Sequence, residues 1–447
     1  MNRPTIALTD HLRALLAQGG VRTAQQLQTA TGKSQPSISL ALTKLGPEVC
    51  KLGAARSTRY ALTQTILGLP AEQTLTWTTP EGRLQTFGSL HFLQSGRVYV
   101  RSHQGADWLS APGQLPWFLQ PLRPQGFLGR QLTRLRPDFP ADPDHWRTEQ
   151  VLYMAANHAG DPPGALHLGD TMGRLVPEAP WTAPDQAAHF DALARAVTQT
   201  LPAASSAGGE QPKFLTEVDT PDGQHKHLIV KFSPPRGTPF GERWHALLHL
   251  EHLALSVLAE NGVTVASSTI VESNERTYLV SERFDRIGLE GKRHVVPASA
   301  VHDEFVRAPR QHWVATCEAL AAQKLLTSTH LSTVASSYLF GQYIGNTDMH
   351  FGNLSFFVND VLQPALVPTP VYDMLPMQWR PGVHSGELDV RPVQPQAQPA
   401  GYADLAATAR TWAISYWDRA ASLPCLTPAL HAASAENARA LRHNLAP

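Results

Sequence analysis

The chain has 447 residues, 42% of them hydrophobic, and carries 37 basic against 37 acidic side chains. That length and composition predict two or three domains with ample cores and exclude wholesale disorder. The lack of a long apolar run and of a charged-then-apolar leader predicts a cytoplasmic protein with no membrane partner, nucleoid-associated if it binds DNA.

The front of the chain has its own character. Leu8, Leu12, Leu15 and Leu16 form the apolar stripe of a helix over 8–17, which Gly19-Gly20 ends. Thr23 caps a second helix over 24–30, closed by Thr31-Gly32. Ser34 is a good N-cap and Pro36 suits a first turn, so a third helix runs to about Leu45. It buries Ile38, Leu42 and Leu45, and its other face offers Gln35, Ser37, Ser39, Leu40, Thr43 and Lys44. Residues 49–52 and 58–62 alternate like two short strands around the wing 53–57, with Arg56 and Arg59 beside the turn. Three helices and a basic hairpin predict a winged helix-turn-helix over residues 1–65, its third helix entering a major groove. Residues 1–62 hold eight Lys/Arg against two acids, a net +6 that the remainder of the neutral chain balances. Such asymmetry points to double-stranded DNA, read by Gln35, Ser37, Ser39, Thr43, Lys44, Arg56 and Arg59. A winged helix used for protein contact or for a homodimer is the rival reading.

Residues 71–145 alternate apolar and polar with many Gly and Pro breaks, which predicts a small β-rich subdomain over 66–145 covering the lobe that follows. From Pro143 the pattern turns helical and opens a third domain, 146–447. Pro-rich stretches at 361–370 and 391–399 read as loops, and the chain after Tyr402 as helices. The three cysteines, Cys50, Cys317 and Cys425, make neither a disulfide framework nor a zinc motif by spacing, and read as core residues or bystanders.

Within the third domain, Asp348 is followed five positions on by Asn353, and Asp373 comes after a strand-like run. Protein kinases set out their catalytic base and two magnesium ligands in that order. One carboxylate accepts a proton from the attacking hydroxyl; an amide oxygen and a second carboxylate hold hard, oxygen-seeking Mg2+. Asp and Asn cluster in ordinary turns too, so the upstream residues decide. Gly208-Gly209-Glu210-Gln211-Pro212-Lys213, after Ser205-Ser206, has the glycines of a phosphate loop, though also the composition of a linker. Lys231 ends a strand, His227–Phe232, where an edge-strand lysine is the bland alternative. Glu251 lies in a helix over 242–260, positioned to pair with Lys231 if it faces the sheet. A strand from Thr277 leads to Glu282-Arg283-Phe284, a candidate hinge for an adenine edge. His350 reads as a hydrogen-bonding residue of the catalytic loop and not a metal ligand, since Mg2+ prefers oxygen.

These motifs, Ser206-x-x-Gly209-x-Gln211-x-Lys213, Val230-Lys231-Phe232, Glu282-Arg283-Phe284-Asp285-Arg286, Asn346-x-Asp348-x-His350-x-x-Asn353 and Tyr372-Asp373, resemble the HipA family over roughly residues 70–447. Members are serine/threonine kinase toxins of bacterial toxin–antitoxin systems with a phosphatidylinositol-kinase-like fold. The resemblance implies an α+β, two-lobed, protein-kinase-like fold with an N-lobe to about 286, and ATP and Mg2+ as cofactors. It implies nucleotide contacts from Gly208, Gly209, Glu210, Gln211, Lys213, Lys231, Glu282, Arg283, Phe284, His350 and Tyr372, with Asp348 as base and Asn353 and Asp373 as metal ligands. A serine at Ser206 implies shut-off by autophosphorylation, with Ser205 as the other acceptor. The fused front domain departs from most of the family, which borrows DNA binding from a separate antitoxin, so an antitoxin partner stays open. Two other functions fit the same residues: a DNA-binding regulator that senses nucleotide without turnover, and a metal-dependent nuclease. The lysine and glycine elements favour a kinase acting on a protein with a Ser/Thr acceptor.

Overall fold

The computed structural model describes residues 7–157, 161–169, 186–199, 211–220, 222–382, 390–394 and 399–443. The chain divides into two compact units, one drawn from residues up to 175 and the other from 176 onward, with 80–82 and 126–128 assigned to the second.

The first unit opens with α1 (Leu8–Gly19), β1 (Arg22–Thr23), α2 (Ala24–Thr31), α3 (Gln35–Leu45), β2 (Val49–Leu52) and β3 (Arg59–Leu62). Leu12, Leu16, Leu27, Ile38, Leu42 and Leu45 close its core, as their helical spacing dictates. Gly20, at φ 66°, ends α1. Thr23 and Gln26 form a reciprocal capping box that starts α2. Ser34 occupies the N-cap of α3 but makes no cap bond; its hydroxyl meets that of Ser37 at 3.0 Å. The expected hairpin gains a third strand, in the order β1-β3-β2. Two-residue β1 is too short to show an alternation, so its pairing is set by the fold and not by local pattern.

A five-stranded antiparallel sheet follows, from β4 (Glu72–Thr78), β5 (Leu84–Phe92), β6 (Val98–Ser102), β7 (Asp107–Leu109) and β8 (Leu166–Leu168), ordered β7-β6-β5-β4-β8. Between β7 and β8 the chain turns helical in α4 (Gly126–Leu132) and α5 (Thr148–Asn157). β8 pairs with Leu75–Trp77 of β4, so the segment past the expected boundary at 145 returns to this unit. Packing is continuous across the expected boundary at 65. Cys50, Leu52 and Ala61 of the hairpin share a core with Leu93 and Tyr99, the Gly53 N–H donates to Tyr99 Oη (3.1 Å), and Arg101 donates to the Gly53 carbonyl (3.0 Å).

The second unit begins with α6 (Gln186–Gln199), β9 (Lys213–Asp219), β10 (His225–Phe232), α7 (Pro239–Glu260), β11 (Thr269–Glu272) and β12 (Thr277–Glu282), the strands forming an antiparallel sheet ordered β11-β12-β10-β9. Alternation along β10 sends Leu228, Val230 and Phe232 into a core with Phe190 and Tyr278. The intervening Lys231 therefore points from the other face, directly across from Lys213. Thr238 caps α7 by accepting from the Gly241 N–H, and Pro239 suits its first turn. After β13 (Arg286–Ile287) and β14 (Gly291–Lys292) come β15 (Val295–Pro297), α8 (Ala298–Val301), α9 (Trp313–Ala322), α10 (Ser328–Tyr343), β16 (Ser355–Val358) and β17 (Leu366–Pro368). The expected loop 361–370 thus contains a strand, β17, paired with β16 in a small sheet ordered β15-β16-β17. Helices α11 (Ala403–Ala420) and α12 (Pro428–His443) complete the unit, and Trp379, Tyr416 and Trp417 bury themselves with Leu247, Leu250 and Phe340. Among the described residues no helix is long and apolar enough to cross a membrane.

Candidate active site

Three elements of the second unit meet at one amine. Lys231 Nζ lies 2.6 Å from Glu251 Oε1 of α7 and donates to Asp373 Oδ1. Glu251 is 3% exposed, whereas Asp373 keeps an open edge at 29%. Burial pulls the ammonium's pKa down, but the two carboxylates outweigh it and the net direction is up. Burial likewise works against ionising Asp373, yet Lys231 and Lys213 hold it down at about 2. Burial raises Glu251 against the pull of the same lysine.

Asp373 sits at φ 53°, in the left-handed region that Asp and Asn visit more readily than other residues bearing a side chain. Hydrogen bonds hold it there. Asn346 Nδ2 donates to the Asp373 carbonyl (3.3 Å), while Asn346 Oδ1 accepts from the Asp348 N–H (3.1 Å). One buried amide thus fixes both acids. Asn353 Nδ2 donates to the Asp348 carbonyl (2.8 Å), and its Oδ1 has no hydrogen bond among the described residues. His350 accepts at Nδ1 from the Gly352 N–H (2.9 Å), and its carbonyl accepts from Trp313 Nε1 (3.0 Å). Its imidazole therefore serves the loop's own backbone. Tyr372 donates to the Gly352 carbonyl (2.8 Å) and meets Ser355 Oγ at 2.9 Å; burial pushes its phenol up. At the head of the loop Gly345, φ 73°, turns the chain out of α10 where a Cβ would strike the Gln378 side chain.

The structure brings together Lys213, Lys231, Glu251, Asn346, Asp348, Asn353, Tyr372 and Asp373 through these links. Gln211 joins them by donating from Nε2 to the Phe232 carbonyl. Phe284 comes within reach as well, its ring tilted against Tyr372 at 5.7 Å. The Arg283 guanidinium is buried on Asp285 in a two-pronged pair (3.1 and 2.9 Å), and its backbone N–H donates to the His227 carbonyl. Glu282 pairs with Lys226 at 3.1 Å. Ser205, Ser206, Gly208, Gly209 and Glu210 lie outside the described residues. Asn346 was legible only as part of a motif; its double role needed the fold. In the first unit, Gln35, Ser37, Ser39, Thr43 and Lys44 are all exposed on α3, as is Arg59, while the Arg56 side chain lies outside the description.

A family model described as the HipA-like C-terminal domain matches residues 205–433, and a model described as the YjjJ-like toxin middle domain matches 69–176. The second match runs past the expected boundary at 145, in agreement with the return of β8 to the first unit. Toxin YjjJ of Escherichia coli (strain K12) is 34% identical over 383 residues, covering 83% of this chain and 84% of that one. A chain of the solved Shewanella oneidensis MR-1 toxin–antitoxin complex of HipA, HipB and operator DNA superimposes with a TM-score of 0.52 at 16% identity, over 82% of this chain and 96% of that one. That likeness shows a fold shared with HipA. With the C-terminal match spanning Lys231, the Asp348 loop and Asp373, the chain belongs to the HipA-like toxin family.

Proposed function

We propose that the second unit is an ATP- and Mg2+-dependent protein serine/threonine kinase of HipA type, acting as a growth-arrest toxin. The observation that carries this reading is the Lys231 ammonium held between Glu251 and Asp373, an arrangement bridging 142 positions of sequence. A phosphate-binding lysine needs a carboxylate to orient it and an acidic neighbour placed for metal, and both are here.

The donor set suits the expected cation. Asn353 Oδ1 and the ionised Asp373 are hard oxygens of the kind Mg2+ takes. Mg2+, when bound there, supplies neutralisation of phosphate charge. Lys231 and Lys213 attract the same phosphates from the sheet. Asp348, half exposed and fixed through its own N–H and carbonyl, would take the proton of a substrate hydroxyl as that oxygen bonds the γ-phosphorus and the bond to the departing ADP breaks. The backbone of 282–284, with Phe284, would take the adenine. Phosphorylation of Ser206 would add about two negative charges beside the nucleotide phosphates and repel them, which suits a self-limiting toxin.

The three helices and three-stranded sheet at the front are read as a winged helix-turn-helix that binds double-stranded DNA through the exposed face of α3 and the basic hairpin. With the operator-reading part in cis, DNA is a direct partner; a separate antitoxin and a homodimer are left to experiment. The cytoplasm is the expected compartment. Incubation of the full chain with labelled ATP and Mg2+, and separately with plasmid and Mg2+ or Mn2+, tests the assignment. Transfer of label to protein Ser/Thr supports it. Plasmid cleavage without transfer would establish the nuclease reading, and ATP-responsive DNA binding without either would establish a nucleotide-sensing regulator.

A further inference from the structure

α7 carries two histidines one turn apart, His245 and His249, whose rings meet edge to face at 4.7 Å between centroids. They point at β11 and β12, where Glu272 and Thr277 are register partners. His245 is 2% exposed. One of its ring nitrogens, Nδ1, bonds Thr277 Oγ1, and the other has no hydrogen-bond partner among the described residues. His249 Nε2 lies 2.9 Å from Glu272 Oε1. Into the same spot comes Cys425, from the loop between α11 and α12. Ligand atoms of His245, His249 and Cys425 all lie within 4.8 Å of one another.

We propose that His245, His249 and Cys425 form a binding site for a borderline transition metal of the zinc class, with the Glu272 carboxylate held beside it on His249. Two imidazoles and a thiolate are the donor types zinc selects, and they are unsuited to the oxygen-seeking ion of the nucleotide site. Thr277 plays the supporting part seen behind metal-bound histidines: it occupies one ring nitrogen and turns the other, otherwise unpaired in a buried place, toward the ion. The thiol proton, held by burial at about 11, leaves to solvent as the metal–sulfur bond forms.

The site has a mechanical consequence. It ties α7 to β11 and to the α11–α12 loop, and Glu251 stands two residues beyond His249 on the same helix. Metal occupancy would therefore hold α7 where Glu251 reaches Lys231. Only this consequence rests on the kinase reading; binding itself does not.

The test is titration of the chelator-treated full chain with Co2+, followed by its visible and near-ultraviolet absorption. One equivalent should bind with a thiolate-to-cobalt charge-transfer band and the intense bands of tetrahedral coordination, and Zn2+ should displace it. Cys425→Ser should abolish the charge-transfer band, and His249→Ala should weaken binding at least about tenfold. His225→Ala should change neither; it disrupts the separate trio of Glu217, His225 and His227 on β9 and β10. The proposal is overturned by absence of the band, by a band that survives Cys425→Ser, or by binding that is lost with His225→Ala. Circular dichroism of each variant separates lost ligation from lost fold.

Discussion

The loop around Asp348 and Asp373 and the exposed face of α3 are built in opposite ways. Around Asp348 and Asp373, side chains are tied to backbone: Asn346 reaches both acids, Asn353 and His350 bond their own loop, and Trp313 and Tyr372 brace it from outside. On α3 the candidate contact residues stand exposed, and the side chain of Thr43 is tied no further than to the Ser39 carbonyl of its own helix. Chemistry on a hydroxyl needs groups fixed within a fraction of an ångström. Attraction to a polyanion needs density of charge, and mobile side chains serve it well. The difference teaches that single substitutions should be catastrophic in one region and graded in the other.

Removing Asp348 breaks the comparison most sharply. Asp348→Ala should lower phosphoryl transfer by about 10²–10⁴-fold, the usual worth of a positioned base, while nucleotide affinity and DNA binding stay near wild type. Transfer at the wild-type rate, measured with labelled ATP, would remove Asp348 from the reaction.

Lys231→Met should act on stability as well as on activity. It leaves Glu251 buried without its cation, a loss of about 3–5 kcal/mol in denaturant unfolding of the second unit. Adding Glu251→Leu should restore much of that stability without restoring transfer. If the double variant is as unstable as the single one, the ion pair is not what holds this corner.

Asp373 offers a pH signature. Its carboxyl titrates at about 2 in the fold against an ordinary 3.8, so its stabilisation is fully present above the ordinary value and is lost as pH falls toward 2. Wild type should therefore lose stability relative to Asp373→Asn between about pH 4 and pH 2 and run parallel to it above. Parallel acid limbs throughout would mean that Lys231 does not depress this group.

How much of this was legible beforehand depended on the range of the forces. α1, α2 and α3 were readable because their stripes and caps are local: Leu12 and Leu16 one turn apart, Thr23 with Gln26. The β10–α7–β12 order and the Asp348 loop were readable because a chemical role restricts the residue types. What escaped was decided at distance. β8 carries only three residues and reveals itself only by pairing with β4, some ninety positions earlier, which is why its place beside β4 could not be read ahead. Ser34 had the right residue type for a cap, yet Ser37 took its hydroxyl. Cys425 read as a bystander because spacing along the chain says nothing about two histidines brought to it by another helix.

The mildest effects belong to the α3 face and to Arg59 on β3, and they sharpen the comparison by their form. Lys44→Ala and Arg59→Ala each remove one exposed cation, and neither residue closes a network, so folding and phosphoryl transfer should be untouched. If both side chains meet phosphate, each variant should lower DNA affinity several-fold at low salt and reduce the slope of log K against log salt by about one, equally for all sequences. Gln35→Ala should behave differently, leaving the slope intact and relaxing the preference at one base pair. Identical salt slopes for wild type and both cation variants would place the DNA elsewhere, and would turn the net +6 of residues 1–62 into a feature needing another partner.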